Sequence, residues 1–156
     1  MKKTFILILI LCGKGLFAQE RPSPFIAVES FFKAFHDKDS VAMQKSFLEN
    51  ARLMHSGGTQ QGKSILQVSN LEKFIRSVAT RKNSPQCKEH LGQPIIQQHL
   101  NLATVWVPFR FTLDGELSHC GYNSFTLVWD DLSWKILSLI DTGTKNCDLI
   151  QLYEQD

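Results

Sequence analysis

No stretch of the chain reaches the eighteen or more apolar residues that a membrane-spanning helix needs. The longest apolar run, Phe5 to Leu11, follows Lys2 and Lys3 and leads to small Ala18. Residues 1–18 therefore read as a secretory signal peptide cleaved near Ala18, and no membrane insertion is expected of the mature chain. Cys12 is preceded by Leu11 rather than a small residue, which excludes a lipoprotein anchor. A surplus of one charge is missing too. Lys2, Lys3 and Lys14 belong to the leader, so the 17 basic residues fall to 14 against 15 acidic ones. Without a positive field to hold a polyanion, nucleic acid is excluded as the main partner. Repeats, linkers and low-complexity stretches are also lacking. The remaining 138 or so residues suffice for one domain with a proper core.

Cysteines are few. Export would place Cys87, Cys120 and Cys147 in an oxidising compartment, and three thiols allow at most one internal bridge. Pairing the last two strands around their turn sets Tyr122 opposite Asp141 and Cys120 near position 143, with Cys147 just beyond. Cys120–Cys147 is the preferred disulfide, and three buried thiols are the alternative. Several familiar chemistries lack their parts. Cys87 and His90 have a metal-like spacing, but no second ligand pair matches it, so no metal is expected. Ser56-Gly57-Gly58 is followed by no phosphate-loop helix. His119 and Cys120 are neighbours on a strand and point to opposite faces, so they form no nucleophile–base pair. No cofactor is expected.

What is present organises around Leu102 to Thr142, which reads as three consecutive antiparallel strands. Asp114-Gly115 makes the first turn, and Asp130 to Ser133 the second. Upstream, Ser23-Pro24 opens a helix with Phe25, Val28, Phe32 and Phe35 at helical spacing. Asp39 or Ser40 caps a second helix carrying Val41, Phe47 and Leu48. A strand over 51–55 breaks at Gly57-Gly58. Ser69-Asn70-Leu71-Glu72 reads as a capping box for a third helix. A strand through Ile95 and Ile96 follows. The order predicts an α+β fold, a curved antiparallel sheet wrapped as a cone-shaped barrel around three helices, with a cavity at the open end. The domain is expected over 24–147, with a tail at 148–156.

The Phe-rich first helix ending in FHDKDS, the glycine-broken segment before the third helix, HCGYNSFTLVW and the closing WKILSLIDT together resemble the nuclear-transport-factor-2-like superfamily, which includes ketosteroid isomerase, scytalone dehydratase and polyketide cyclases. The strand HCGYNSFTLVW is similar to an exported bacterial subgroup described as lumazine-binding-like or of unknown function. The resemblance spans nearly the whole mature chain. It implies an α+β cone and often a homodimer, without implying one chemistry.

Alternation assigns the site. With Trp129 facing Trp134, Asn123 faces Ile140, and His119, Gly121, Asn123, Phe125, Leu127 and Trp129 share one face. A three-residue loop at 114–116 or a bulge aligns that face with Phe109 and Phe111. A strict two-residue turn aligns those rings with Cys120 and Tyr122 instead. In the first register His55, His119 and Asn123 converge on a pocket walled by Phe109, Phe111 and Phe125. The rival pocket is Trp106, Arg110, Tyr122 and Asp141. An enzyme of this kind would use His55 or His119 as base and Tyr122 or Asn123 as donor. Asp141, the nearest carboxylate, falls on the wrong parity. The leading expectation is an exported protein binding a small apolar or aromatic ligand. A histidine-based isomerase, dehydratase or cyclase comes second. An interaction module using Trp106 is third.

Overall fold

The computed structural model describes residues 21–58 and 62–150. The expected signal peptide, residues 1–18, and the expected tail beyond Ile150 lie outside the described residues. Local chemistry sets each helix. Ser23 accepts from the Phe25 N–H (3.3 Å) and Pro24 takes the first position of α1, Pro24–Asp37. Lys38 ends it in the left-handed region, at φ 58°. Asp39 caps α2, Ser40–Ser46, by accepting from the Ala42 N–H at 2.9 Å. The cap of α3, Leu71–Ala79, is Asn70, which accepts from the Lys73 N–H at 2.9 Å. The expected Ser69 is instead the last residue of a strand, one position too early to reach the helix.

Among the described residues, seven strands replace the expected five. β1, Phe47–Gly58, starts where α2 stops, so Phe47 and Leu48 are extended rather than helical. β2, Ser64–Ser69, returns antiparallel along β1. β3, Cys87–Leu91, and β4, Ile95–His99, both pair with one edge of β5, Leu102–Leu113. Gly92-Gln93-Pro94 separates them, and proline has no N–H to give a ladder. β6, Glu116–Trp129, and β7, Trp134–Thr142, complete the order β2-β1-β7-β6-β5-β3. β1 runs parallel to β7, so the sheet is mixed rather than wholly antiparallel, and it curves without closing into a barrel. The hairpins use up the antiparallel edges of β5, β6 and β7, and β1 takes the edge that remains.

Two bulges decide which side chains face inward. Asp114 (φ 50°) and Gly115 (φ 87°) form a two-residue turn between Leu113 and Glu116. One extra residue, Ser118, then shifts the ladder, so that Phe111 faces His119 and Phe109 faces Gly121. The second bulge lies at Leu137. Leu127 still faces Ile136, but Thr126 faces Ser138 and Asn123 faces Asp141. This corrects the expected pairs Tyr122–Asp141 and Asn123–Ile140. One extra residue turns Asp141 from the outer face to the concave one.

The helices cover that concave face. Val28, Phe31, Phe32 and Phe35 of α1 are buried with Val105, Val107, Phe125, Leu127, Ile136 and Leu139 of the sheet. Phe31 and Phe32 meet Phe125 edge-on, at 6.4 and 6.1 Å between centroids. The chain ahead of α1 is tied down by Trp134, whose indole donates to the Pro22 carbonyl at 2.8 Å. Cys120 and Cys147 are joined in a disulfide, with Cα atoms 5.7 Å apart, and Cys87 is a free thiol. Among the described residues, no helix is long and apolar enough to cross a membrane.

Candidate functional site

One row of residues crosses the concave face in register. His55 on β1 faces Asp141 on β7, which faces Asn123 on β6, which faces Val107 on β5. A second row holds Glu89 on β3, Phe111 on β5 and His119 on β6. Between these rows and the helices lies a cavity of about 200 Å³. Its apolar wall is Phe31, Phe32 and Phe35 of α1, Phe74 of α3, Phe109 and Phe111 of β5, with Leu53 and Leu139. Its polar wall is Glu89, His119, Asn123 and Asp141. No lysine or arginine lines it.

The polar groups hold one another. His55 Nδ1 lies 2.8 Å from Asp141 Oδ2, each side chain about a third exposed. The Asn123 carboxamide donates to Glu89 Oε1 at 2.7 Å, and Asn123 is almost fully buried. The Glu89 backbone N–H donates to His36 Nε2 at 2.9 Å, which ties α1 to β3 and leaves that nitrogen an acceptor. Burial pushes the Glu89 carboxyl up from its ordinary 4.5 to about 7, and the Asn123 hydrogen bond offsets only part of this. The negative charge of Asp141 adds to the rise. Burial lowers His119, Asp141 pulls it back up, and His55 pushes it down again. His119 stacks on Phe111, with ring centroids 4.9 Å apart, and its Nδ1 lies 3.2 Å from Ser118 Oγ.

Of the sequence-derived pocket residues, Phe109, Phe111, His119 and Asn123 line the cavity. Phe125 does not, because Phe31 and Phe32 cover it completely. His55 is not part of the wall; it backs Asp141 from the neighbouring strand. The rival group is split. Trp106 and Tyr122 stack at 5.0 Å on the outer face, where the exposed Arg110 also lies, while Asp141 lines the cavity inside. Sequence reasoning missed Glu89. Its signal was the alternation Cys87, Glu89, Leu91 against exposed Lys88 and His90, which places a carboxyl at an inward position. Among the described residues, no group of three or more His, Cys, Asp or Glu is arranged to hold a metal.

No protein-family model matches the sequence, and no curated protein sequence does either. Solved structures do match. A protein of unknown function from Shewanella baltica, described as nuclear-transport-factor-2-like, is 15% identical with a TM-score of 0.57. The match covers 79% of this chain and 92% of that one. A cystatin-like-fold protein of unknown function from Nostoc punctiforme is 10% identical, with a TM-score of 0.60 over 78% and 89% of the two chains. A Streptomyces avermitilis protein described as a candidate dehydratase of the nuclear-transport-factor-2-like family is 14% identical. Its TM-score is 0.56, over 77% and 92%. These likenesses concern the fold.

Proposed function

We propose that this nuclear-transport-factor-2-like cone takes a small, flat, largely apolar molecule bearing a carbonyl or hydroxyl group and moves a proton on it, as an isomerase or dehydratase does. One observation carries the reading. Two carboxyl groups, Glu89 and Asp141, share a Phe-walled cavity, one held near neutrality by burial and the other paired with an imidazole. In this reading Asp141, oriented by His55, takes the proton. Glu89, whose protonated form persists up to about pH 7, donates in that form to the substrate oxygen and is itself held by Asn123. The phenylalanine rings supply the binding energy for a flat ring. The expected base thus moves from histidine to Asp141, because the Leu137 bulge brings that carboxylate inside. A binding protein without turnover is the second reading, favoured by the small Phe-lined volume.

The test is solvent exchange. Cyclic ketones and enones are incubated with the protein in D2O, and deuterium uptake beside the carbonyl is followed by proton NMR. Exchange that disappears in Asp141→Asn supports proton transfer. Ligands that raise the melting temperature and never exchange would sink it in favour of binding alone.

We infer also that the mature protein is exported and dimeric. Val68, Met54, Ile140, Ser124, Trp106 and Ile95 lie side by side on the outer face, across six strands. At about 4.8 Å per strand the row is about 24 Å long, close to the side of the roughly 800 Å² patch that each partner buries in a stable interface. Trp106 is 42% exposed and Ile95 65%, and a second copy would cover both. Native mass spectrometry of protein recovered from the periplasm is expected to show a dimer lacking residues 1–18. Trp106→Glu is expected to be monomeric. A monomeric parent at micromolar concentration overturns the dimer.

A further inference from the structure

The chain after β7 crosses beside the polar end of the cavity, and the proton-transfer reading gives it no part. Cys120 and Thr144 exchange backbone hydrogen bonds of 3.0 and 2.8 Å. Thr142 Oγ1 accepts from the Tyr122 N–H at 3.2 Å, and the Cys120–Cys147 disulfide ties the strap to β6 covalently. Cys120 immediately follows His119. Gly143 sits between the two imidazoles: a Cβ placed there would lie 3.6 Å from His55 Cε1 and 3.8 Å from His119 Cδ2. The strap is exposed from Gly143 through Asn146, so its hold on the site depends on these ties.

We propose that the strap Gly143–Cys147 is a positioning device for the acid–base cluster: the disulfide seats Gly143 against His55 and His119, fixes the separation of the two rings and shields His119 from water, and reduction of the bond releases all three. The proposal rests on the reading of this cluster as the working site, but its physical content is testable without a substrate. Release requires an external dithiol. One of its thiolates attacks Cys147 Sγ, and Cys120 leaves as a thiolate that is then protonated. The second thiol of the reductant resolves the mixed disulfide, leaving two protein thiols and an oxidised reductant. The groups that face His119 are Asp141 from β7, His55 from β1, Ser118 on its own strand, and Glu89 from β3 across Phe111.

The experiment is an NMR titration of the imidazoles in the oxidised protein, in the dithiol-treated protein and in Cys147→Ser. Burial holds His119 below its ordinary 6.5. Loss of the bond is expected to move its midpoint up toward 6.5, while the amide signals of β3 and β5 stay in place. An unmoved midpoint in a folded Cys147→Ser protein overturns the proposal. Should that variant fail to fold, Gly143→Val with the disulfide intact places a branched side chain against both rings. The His119 midpoint is then expected to move, and an unmoved midpoint overturns the proposal equally. A moved midpoint with no deuterium exchange on any ligand leaves the strap proposal standing and removes the proton-transfer reading. Exchange with an unmoved midpoint does the reverse.

Discussion

Replacing Glu89 by glutamine is expected to stabilise the protein at pH 8.5 by on the order of 3 kcal/mol and to change it little near pH 4.5. The carboxyl is raised from 4.5 to about 7 in the folded protein, with burial as the main cause. Below pH 4.5 the group is protonated in both folded and unfolded chains, and its burial costs nothing extra. As pH rises from there, the unfolded chain releases the proton while the folded one keeps it, so stability falls. The fall ends near pH 7, where the folded group ionises too, and the full penalty persists above it. Glutamine never ionises, and its carbonyl oxygen can accept the same Asn123 hydrogen bond that Glu89 Oε1 accepts at 2.7 Å. For a domain of this size the difference is about 10 °C in melting temperature. Paired urea melts at the two pH values measure it. Parallel stability profiles for parent and variant would show that Glu89 is not held protonated.

A penalty of that size, kept in an apolar cavity, also bears on function. A leucine or methionine at position 89 would remove the ionisation penalty, because its inward neighbours on β3 and the facing Phe111 offer an apolar setting, but it would leave the buried Asn123 carboxamide without its acceptor. A carboxyl retained at such a position fits a group used for its proton.

The fold was legible in the sequence because its signals are local. The Ser23-Pro24 start, the aromatic spacing of α1 and the Asp114-Gly115 turn each depend on a few adjacent residues. The site was legible only in part, because its parity depends on two single-residue insertions. On β6, Ser118 keeps His119 with Phe111. On β7, strict alternation would have put Ser138 opposite Phe125 in the core and left Leu139 outside. The buried residues are instead Trp134, Ile136 and Leu139, and that step of three marks the bulge. A polar residue in a core slot beside an apolar one out of it was the readable sign. Glu89 was hidden differently. The strand was expected only through Ile95 and Ile96, while the alternation that buries Glu89 needs β3 to be recognised as a strand separate from β4.

Gly121→Ala is expected to cost about 3 kcal/mol or more, although the substitution adds one methyl group. The reason is space rather than backbone conformation, since Gly121 has no positive φ. A Cβ there would lie 2.0 Å from the Thr142 carbonyl oxygen, 2.8 Å from its carbon and 3.0 Å from Phe109 Cε1. Relief requires Thr142 to move, and it is held on three sides. It pairs with Ser56 of β1, its hydroxyl accepts from Tyr122, and two residues on Thr144 is bonded to Cys120. A folded Gly121→Ala protein melting with the parent would mean that this end of β7 is free to shift. The disulfide supplies the sharper measurement. If it is what keeps the strap from yielding, Gly121→Ala should cost about 1 kcal/mol less in a Cys147→Ser background than in the parent. A double-mutant cycle that gives strict additivity would place the rigidity in the sheet itself, and Thr142 would then be fixed by β1 and β6 whatever the state of the bond.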